Sequence, residues 1–222
     1  MASINHLLIF GALLTFSYLV VAPLPPGYEI SESFGECQKV SDDLSEPMVE
    51  CLKQQFTPEQ VNETRELYSG SACLPCRHIC RKQEEIKGCL RLGVDILKDV
   101  SNKSKTMVPF SAQLVETTLK AMCENEEEIF PVITEEESNC FRNGRNACAS
   151  KAMFIRYMDA VVYCDSGNPE TDPLTKEYVC KEMDGYLDCL KENIIPCAGS
   201  LENTFTVLKT KLATSEPCSP YY

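Results

Sequence analysis

The fold is decided by residues 180–218, which read CKEMDGYLDCLKENIIPCAGSLENTFTVLKTKLATSEPC. Apolar residues recur every three or four positions along two successive stretches. They are Cys180, Met183, Leu187, Leu190 and Ile194 in the first stretch and Leu201, Phe205, Leu208 and Leu212 in the second. This spacing is typical of one face of an amphipathic α-helix. The segment therefore predicts a helical hairpin with cysteines on its first helix and one cysteine beyond its second.

The same order of cysteines occurs earlier in the chain. Cys80-x8-Cys89 is followed by Leu90, an amphipathic stretch and Cys123, just as the segment above runs from Cys180 to Cys218. A looser version runs from Cys140-x7-Cys148 to Cys164. Helical pairs of this kind cannot bury their apolar faces alone and must pack together. The pattern favours an internal duplication, with repeat units at about 73–123 and 178–218, although chance can also give the shared spacing.

Helical periodicity extends over nearly the whole chain. Thr57-Pro58 has the form of a helix cap followed by proline in the first turn, and Pro109 predicts a helix start before the pattern of 111–122. Residues 102–110 and 165–173 are predicted linkers. No convincing alternating strand is present. The predicted fold is all-α, a disulfide-stapled bundle of helical hairpins.

Composition limits the class of partner. The 222 residues carry a formal net charge of -12, and hydrophobic residues make up 44 % of the chain. A phosphate backbone requires a surplus of Lys and Arg, so a nucleic-acid partner is not expected. The same charge argues against binding to an anionic membrane surface. The length allows one domain or two small ones.

Residues 1–22 are unlike the rest. They contain no Asp, Glu, Lys or Arg, and residues 7–22 form an apolar run that ends with small residues at Val20 and Ala22. This pattern predicts a secretory signal peptide. A membrane anchor is the alternative, but the run is short for a span of about 20 residues. We therefore expect a secreted cysteine-rich domain over 23–222, with no membrane association after signal cleavage.

Fourteen cysteines follow the predicted signal peptide. They are Cys37, Cys51, Cys73, Cys76, Cys80, Cys89, Cys123, Cys140, Cys148, Cys164, Cys180, Cys189, Cys197 and Cys218. An even number in a secreted chain predicts a disulfide framework in which every thiol is oxidised. Residues nine apart on a helix lie ~13 Å apart along its axis, whereas a bridge needs Cα atoms within ~7 Å. We therefore expect no disulfide between Cys80 and Cys89 or between Cys180 and Cys189. The other pairings stay open.

Two N-glycosylation sequons agree with secretion. They begin at Asn62 and at Asn102, of which Asn102 lies in the more polar stretch.

The cysteine pattern resembles a known family. Cys180-x8-Cys189-x7-Cys197-x20-Cys218 is similar to the end of the insect haemolymph glycoproteins of the twenty-seven-kilodalton class, and Cys140-Phe141 with Cys148 resembles the middle of that family. The resemblance covers roughly 80–218 and does not include Cys73 or Cys76. It implies a secreted, helical haemolymph glycoprotein and implies no established activity.

One predicted helix, over 151–164, is more apolar than the others. Its two neighbouring stripes are Met153, Tyr157 and Val161, and Phe154, Met158 and Val162. The breadth of this face fits simple core packing around a central helix, and it also fits one wall of a pocket for an apolar ligand.

Catalytic and metal-binding patterns are weak. Cys73-Leu74-Pro75-Cys76 has the C-x-P-C form of a thiol–disulfide exchange centre, but no βαβ pattern surrounds it, and a structural bridge explains it equally simply. A zinc site is a second interpretation of this segment, with Cys73, Cys76, His78 and Cys80 as its ligands. Cysteine-rich zinc sites, however, are typical of intracellular proteins. His78 is the only histidine after residue 22 that a catalytic triad could use. The sequence therefore predicts no enzyme, no cofactor and no metal.

Two acidic features have simpler interpretations. The glutamate runs at 124–128 and 135–137 are typical of solvated helix faces. The oxygen-rich stretch 165–172 lacks the order of a calcium-binding loop and is interpreted as a linker.

Two function classes remain open. The first is a non-enzymatic carrier that holds a small hydrophobic ligand between helices, by fold-level analogy with insect odorant-binding proteins. The second is an immune, salivary or venom factor that acts through its surface on another secreted protein. An enclosed apolar space of several hundred Å³ beside the helix over 153–162 would favour the carrier, and a filled core would favour the surface interaction.

Overall fold

The structure is a computed structural model that describes residues 24–69, 71, 73–124, 126–152 and 157–222. The helices are α1 (Phe34–Gln54), α2 (Pro58–Leu67), α3 (Leu74–Arg81), α4 (Gln83–Leu97), α5 (Ser104–Glu124), α6 (Glu126–Ile129), α7 (Glu135–Ala147), α8 (Lys176–Ile194) and α9 (Glu202–Thr214). Short 3-10 turns lie at Ala149–Lys151, Gly199–Leu201 and Ser219–Tyr221, and a π-helical turn lies at Asp159–Tyr163. Within these residues only two isolated β-bridges occur and no strand forms. The predicted all-α class is confirmed. The predicted signal peptide, 1–22, lies outside the described residues.

Side-chain caps fix several helix starts. Thr57 accepts a hydrogen bond from the backbone N–H of Gln60, with Pro58 in the first turn as predicted. Thr134 and Glu137 form a reciprocal capping box at the start of α7. These bonds satisfy N–H groups that have no partner within the first turn of a helix.

The predicted start of α5 is wrong. The helix begins at Ser104 and continues through Pro109, so the predicted linker at 102–110 is largely helical. Two sets of contacts hold this start. Ser101 and Ser104 each accept, through the hydroxyl oxygen, a hydrogen bond from the other's backbone N–H, and Asp165 accepts hydrogen bonds from the backbone N–H groups of Asn102 and Lys103. Because the contacts of Asp165 cross more than sixty residues of sequence, a local pattern does not show them.

The predicted helix over 151–164 is only partly borne out. It includes the π-helical turn, in which the N–H of Cys164 bonds to the carbonyl of Asp159 at 2.7 Å. Cys164 then leaves the helix in an extended conformation, from which it bonds to Cys37. Residues 153–156 lie outside the described part of the chain.

All fourteen cysteines are paired, as predicted. The bridges are Cys37–Cys164, Cys51–Cys89, Cys73–Cys76, Cys80–Cys123, Cys140–Cys197, Cys148–Cys189 and Cys180–Cys218. Neither x8 pair bonds internally, because each member reaches a different segment. Cys218 bonds to Cys180 of α8, so the segment after α9 is held against α8.

The bridges have corresponding positions in the two predicted repeat units. The first cysteine of each x8 pair bonds to a cysteine at or just beyond the end of a later helix, in Cys80–Cys123 and Cys180–Cys218. The second bonds to an earlier segment, to Cys51 within α1 and to Cys148 at the end of α7. The units also differ, since Lys82 separates α3 from α4 whereas α8 is continuous. An ancestral duplication stays a prediction.

Apolar packing among the described residues forms three clusters. The largest joins α1, α4, α5 and the π-helical turn and extends to α8 and α9. A second joins α7, α8 and α9, and a third joins α3, α5 and α6. Helix α5 also packs against α9, and this contact joins the two units. The space between α5, α8 and α9 therefore lies where the two halves meet.

Gly144 allows α7 to lie close to the end of α8. A Cβ at this position would overlap Cγ1 of the fully buried Ile194 and lie 3.3 Å from the backbone oxygen of Asn193. We expect Gly144→Ala to lower the free energy of unfolding by about 1–3 kcal/mol, the usual cost of overpacking. Urea unfolding followed by circular dichroism would measure it.

Gly185 provides the control, because a Cβ there meets no atom within 4 Å. Gly185→Ala lies inside α8 and should gain up to about 1 kcal/mol from helix propensity. Equal effects of the two substitutions would contradict the close approach at Gly144.

Candidate functional site

An apolar space lies between the two halves of the fold. It is a cavity of about 130 Å³ bounded mainly by α5, α8 and α9. Its apolar wall includes Leu114, Ala121 and Met122 of α5, Met183, Leu187 and Leu190 of α8, and Phe205, Leu208 and Leu212 of α9. The stripes of α8 and α9 that predicted a helical hairpin thus also supply two walls of the cavity.

The threonine hydroxyls in the cavity wall are already hydrogen-bonded. Thr117 donates to the carbonyl of Glu216, Thr118 to that of Leu114, and Thr204 to that of Ile129. Since these donors are satisfied by the backbone, none of the three needs water in the cavity. Because most of the other wall residues are apolar, the space favours an apolar occupant.

Lys211 is the one charged residue among the wall residues that the structure describes. It lies in the last turn of α9, and its side chain is half-buried. Its aliphatic stem can therefore contact the apolar wall while its ammonium group stays near water. This arrangement would accept a ligand that carries an acidic or hydrogen-bond-accepting group at one end.

The size of the cavity sets the size of the ligand. Drug-sized molecules occupy pockets of about 300–1,000 Å³, whereas an engineered apolar cavity of about 150 Å³ binds benzene. A cavity of about 130 Å³ therefore suits a single small ring or a short alkyl chain.

The predicted pocket residues occupy a different place. Met158 and Val162 line a smaller cavity of about 60 Å³ on the other side of α5. Val161 is buried and Tyr157 is half-buried, and neither lines the two cavities described here. Met153 and Phe154 lie outside the described residues. The larger space was missed because it forms between stripes that, taken one at a time, resemble ordinary core faces.

His78 has a structural position. It is buried, its Nε2 donates to the carbonyl of Gln55, and its Nδ1 lies 2.7 Å from Oγ1 of Thr64. The three cysteines considered as zinc ligands belong to two disulfides, so they provide no thiolate that could bind zinc. No group of three or more candidate metal ligands occurs elsewhere among the described residues.

The two sequons share one feature. Asn62 and Asn102 are exposed, whereas the hydroxyl residues of their sequons, Thr64 and Ser104, are fully buried. Both hydroxyls form hydrogen bonds in the folded protein, so a sugar would have to be attached before folding. Glycosylation stays a prediction.

The stretch 165–172 is more than a linker. The ammonium group of Lys103 lies 2.6 Å from a carboxylate oxygen of Asp172 and donates to the carbonyl of Ala160. The side chains of Lys103 and Asp172 are only 8 % and 11 % exposed. Burial lowers the pKa of Lys103, and the hydrogen bond and charge of Asp172 oppose this shift. Lys103 thus ties this oxygen-rich stretch to the start of α5.

Tyr28 covers the same ion pair. The ammonium group of Lys103 lies 5.5 Å from the centre of the Tyr28 ring. Burial, together with the charge of Asp172, raises the pKa of Tyr28 to about 12. The contact ties the segment before α1 to α5.

The glutamate runs also have structural contacts. Glu126 forms an ion pair with the buried Arg77 at 3.2 Å. Glu137 accepts hydrogen bonds from Thr134 and Ser200, which lower its pKa. These contacts explain two of the acidic residues as supports of local structure.

In comparisons with known proteins the chain matches no family model, no curated protein and no solved structure. The resemblance to the insect haemolymph glycoproteins therefore stays a prediction based on cysteine spacing.

Proposed function

We propose that this protein is a secreted carrier of a small apolar molecule. The observation that carries the proposal is the apolar cavity between α5, α8 and α9, whose threonine hydroxyls are all hydrogen-bonded to the backbone. Burying apolar ligand surface there contributes about 25 cal/mol per Å². Cys80–Cys123 ties α5 to α3, and Cys180–Cys218 ties α8 to the segment after α9, so little ordering accompanies binding.

Secretion is supported by the redox state of the chain. Seven disulfides form and persist in oxidising compartments. In the described part of the chain no helix is long and apolar enough to cross a bilayer. The predicted signal peptide and the resemblance to haemolymph glycoproteins support the same location.

The ligand is a ring or chain of benzene-like size, and a carboxylate at one end would be favoured by Lys211. Replacement of Lys211 by methionine keeps an apolar stem and removes the charge. Such a variant would lose affinity for a short apolar acid and keep its affinity for the neutral analogue.

Calorimetric titration with toluene tests the carrier proposal. We expect the unmodified protein to bind toluene and Ala121→Leu to bind it at least about tenfold more weakly, because the isobutyl group fills the cavity. Ala112→Leu is the matched control, since Ala112 lines the smaller cavity. Leu208→Trp fills the larger cavity from α9 if the first variant does not fold.

Two results would overturn the assignment. Loss of binding in Ala112→Leu alone would place the ligand beside Met158, as the sequence suggested. Absence of toluene binding by every folded form would favour the alternative function, a secreted interaction factor that acts through its surface.

A further inference from the structure

One disulfide, Cys73–Cys76, does not join distant segments of the chain. Six bridges join segments that lie 38 to 127 residues apart. Cys73–Cys76 spans a sequence separation of 3 and encloses only Leu74 and Pro75. Because the stabilisation from a bridge grows with the loop it closes, this one constrains the unfolded chain least. We propose that Cys73–Cys76 is a thiol–disulfide exchange site that oxidises an accessible dithiol.

The position of Cys73 suits this chemistry. Cys73 is the cap of α3, an eight-residue helix, and its sulfur accepts a hydrogen bond from the backbone N–H of Cys76 at 3.2 Å. In the reduced protein that N–H and the positive end of the helix dipole would stabilise a Cys73 thiolate. A thiolate is both the nucleophile and the leaving group of disulfide exchange.

The two sulfur atoms differ in access. Cys73 is half-buried, whereas Cys76 is only 4 % exposed. An incoming thiolate therefore reaches the sulfur of Cys73 first. Cys76 lies behind it as the group that leaves on attack and that re-forms the bridge.

The surrounding structure does not depend on the bridge. Oγ of Ser71 accepts hydrogen bonds from the N–H of Cys73 and from Nε of Arg77. Arg77 also donates to the carbonyl of Phe130 at 2.8 Å and pairs with Glu126. The other end of α3 is held by Cys80–Cys123. These contacts would hold the segment in place while Cys73–Cys76 opens and closes.

The reaction transfers two electrons from the partner. One partner thiolate attacks the sulfur of Cys73, the Cys73–Cys76 bond breaks, and Cys76 leaves as a thiolate that takes up a proton. The second partner thiol, after loss of its proton, attacks the mixed disulfide and releases Cys73 as a thiol. The partner becomes a disulfide, and Cys73 and Cys76 become thiols.

Graded reduction tests the proposal. The folded protein is incubated with increasing dithiothreitol, alkylated with iodoacetamide and mapped by mass spectrometry. We expect Cys73 and Cys76 to be alkylated at about tenfold lower dithiothreitol than any interhelical pair, with unchanged circular dichroism. Reduction of Cys73–Cys76 no earlier than Cys180–Cys218, or together with loss of helical signal, would overturn the proposal.

A single-cysteine variant tests the nucleophile separately. Cys76→Ser leaves Cys73 as a lone thiol, whose alkylation rate against pH should give a pKa below the ordinary value of about 8.5. Cys218→Ser is the matched control, because it leaves Cys180, which is fully buried. A Cys73 thiol with an ordinary pKa, or one no more reactive than Cys180, contradicts the assignment.

Discussion

The double variant Cys37→Ser/Cys164→Ser is expected to lose about 5 kcal/mol of unfolding free energy. This bridge closes the longest loop in the framework, with a sequence separation of 127. The chain-entropy estimate rises with the logarithm of loop length and approaches this value for such a loop. The bridge also ties α1 to the residue that follows the π-helical turn, and Gln38 donates a hydrogen bond to Asp159 at the start of that turn.

The loss should lower the melting temperature by roughly 10–20 °C for a domain of this size. Urea unfolding under non-reducing conditions, followed by circular dichroism, measures the free energy directly. Cys73→Ser/Cys76→Ser is the matched control and should lose no more than about 2 kcal/mol, because its loop is short. Equal losses in the two double variants would show that loop length does not govern the contribution of these bridges.

Lys103→Met should cost about 3–5 kcal/mol of unfolding free energy. The substitution leaves the carboxylate of Asp172 buried without its partner, and it removes the hydrogen bond to Ala160. Leaving one buried charge without its partner costs far more free energy than the intact ion pair contributes to stability. Lys103→Met/Asp172→Leu should therefore recover most of the loss, since both charges are then replaced by apolar groups.

Lys209→Met is the control for this pair. Lys209 forms ion pairs with Asp184 and Asp188, but its side chain is 37 % exposed. Exposed pairs contribute at most about 1 kcal/mol. Urea unfolding at neutral pH compares the three variants, and similar losses for Lys103→Met and Lys209→Met would show that the Lys103 pair is not buried in solution.

The spacing of apolar residues was sufficient to predict the helices that carry a single apolar stripe. The pattern from Cys180 to Ile194 predicted a helix, and α8 covers Lys176–Ile194. Helix geometry likewise excluded a bridge between Cys180 and Cys189, because residues nine apart on one helix cannot meet. These are properties of a single helix, so the sequence alone determines them.

Contacts between distant segments explain the errors. Helix α5 starts before Pro109 because Asp165 holds its first turn, and Asp172 pairs with Lys103 across 69 residues. The cavity depends on how closely three helices fit one another. Each helix presents the same kind of apolar stripe whether the space between them is filled or empty.

Native mass spectrometry of the protein purified from its source tests the carrier account most directly. The account predicts a discrete small-molecule adduct on the intact, fully disulfide-bonded chain, released on unfolding and absent from Ala121→Leu made in the same host. Ligand-free protein alone, with no adduct even after incubation with toluene or a short apolar acid, would contradict it.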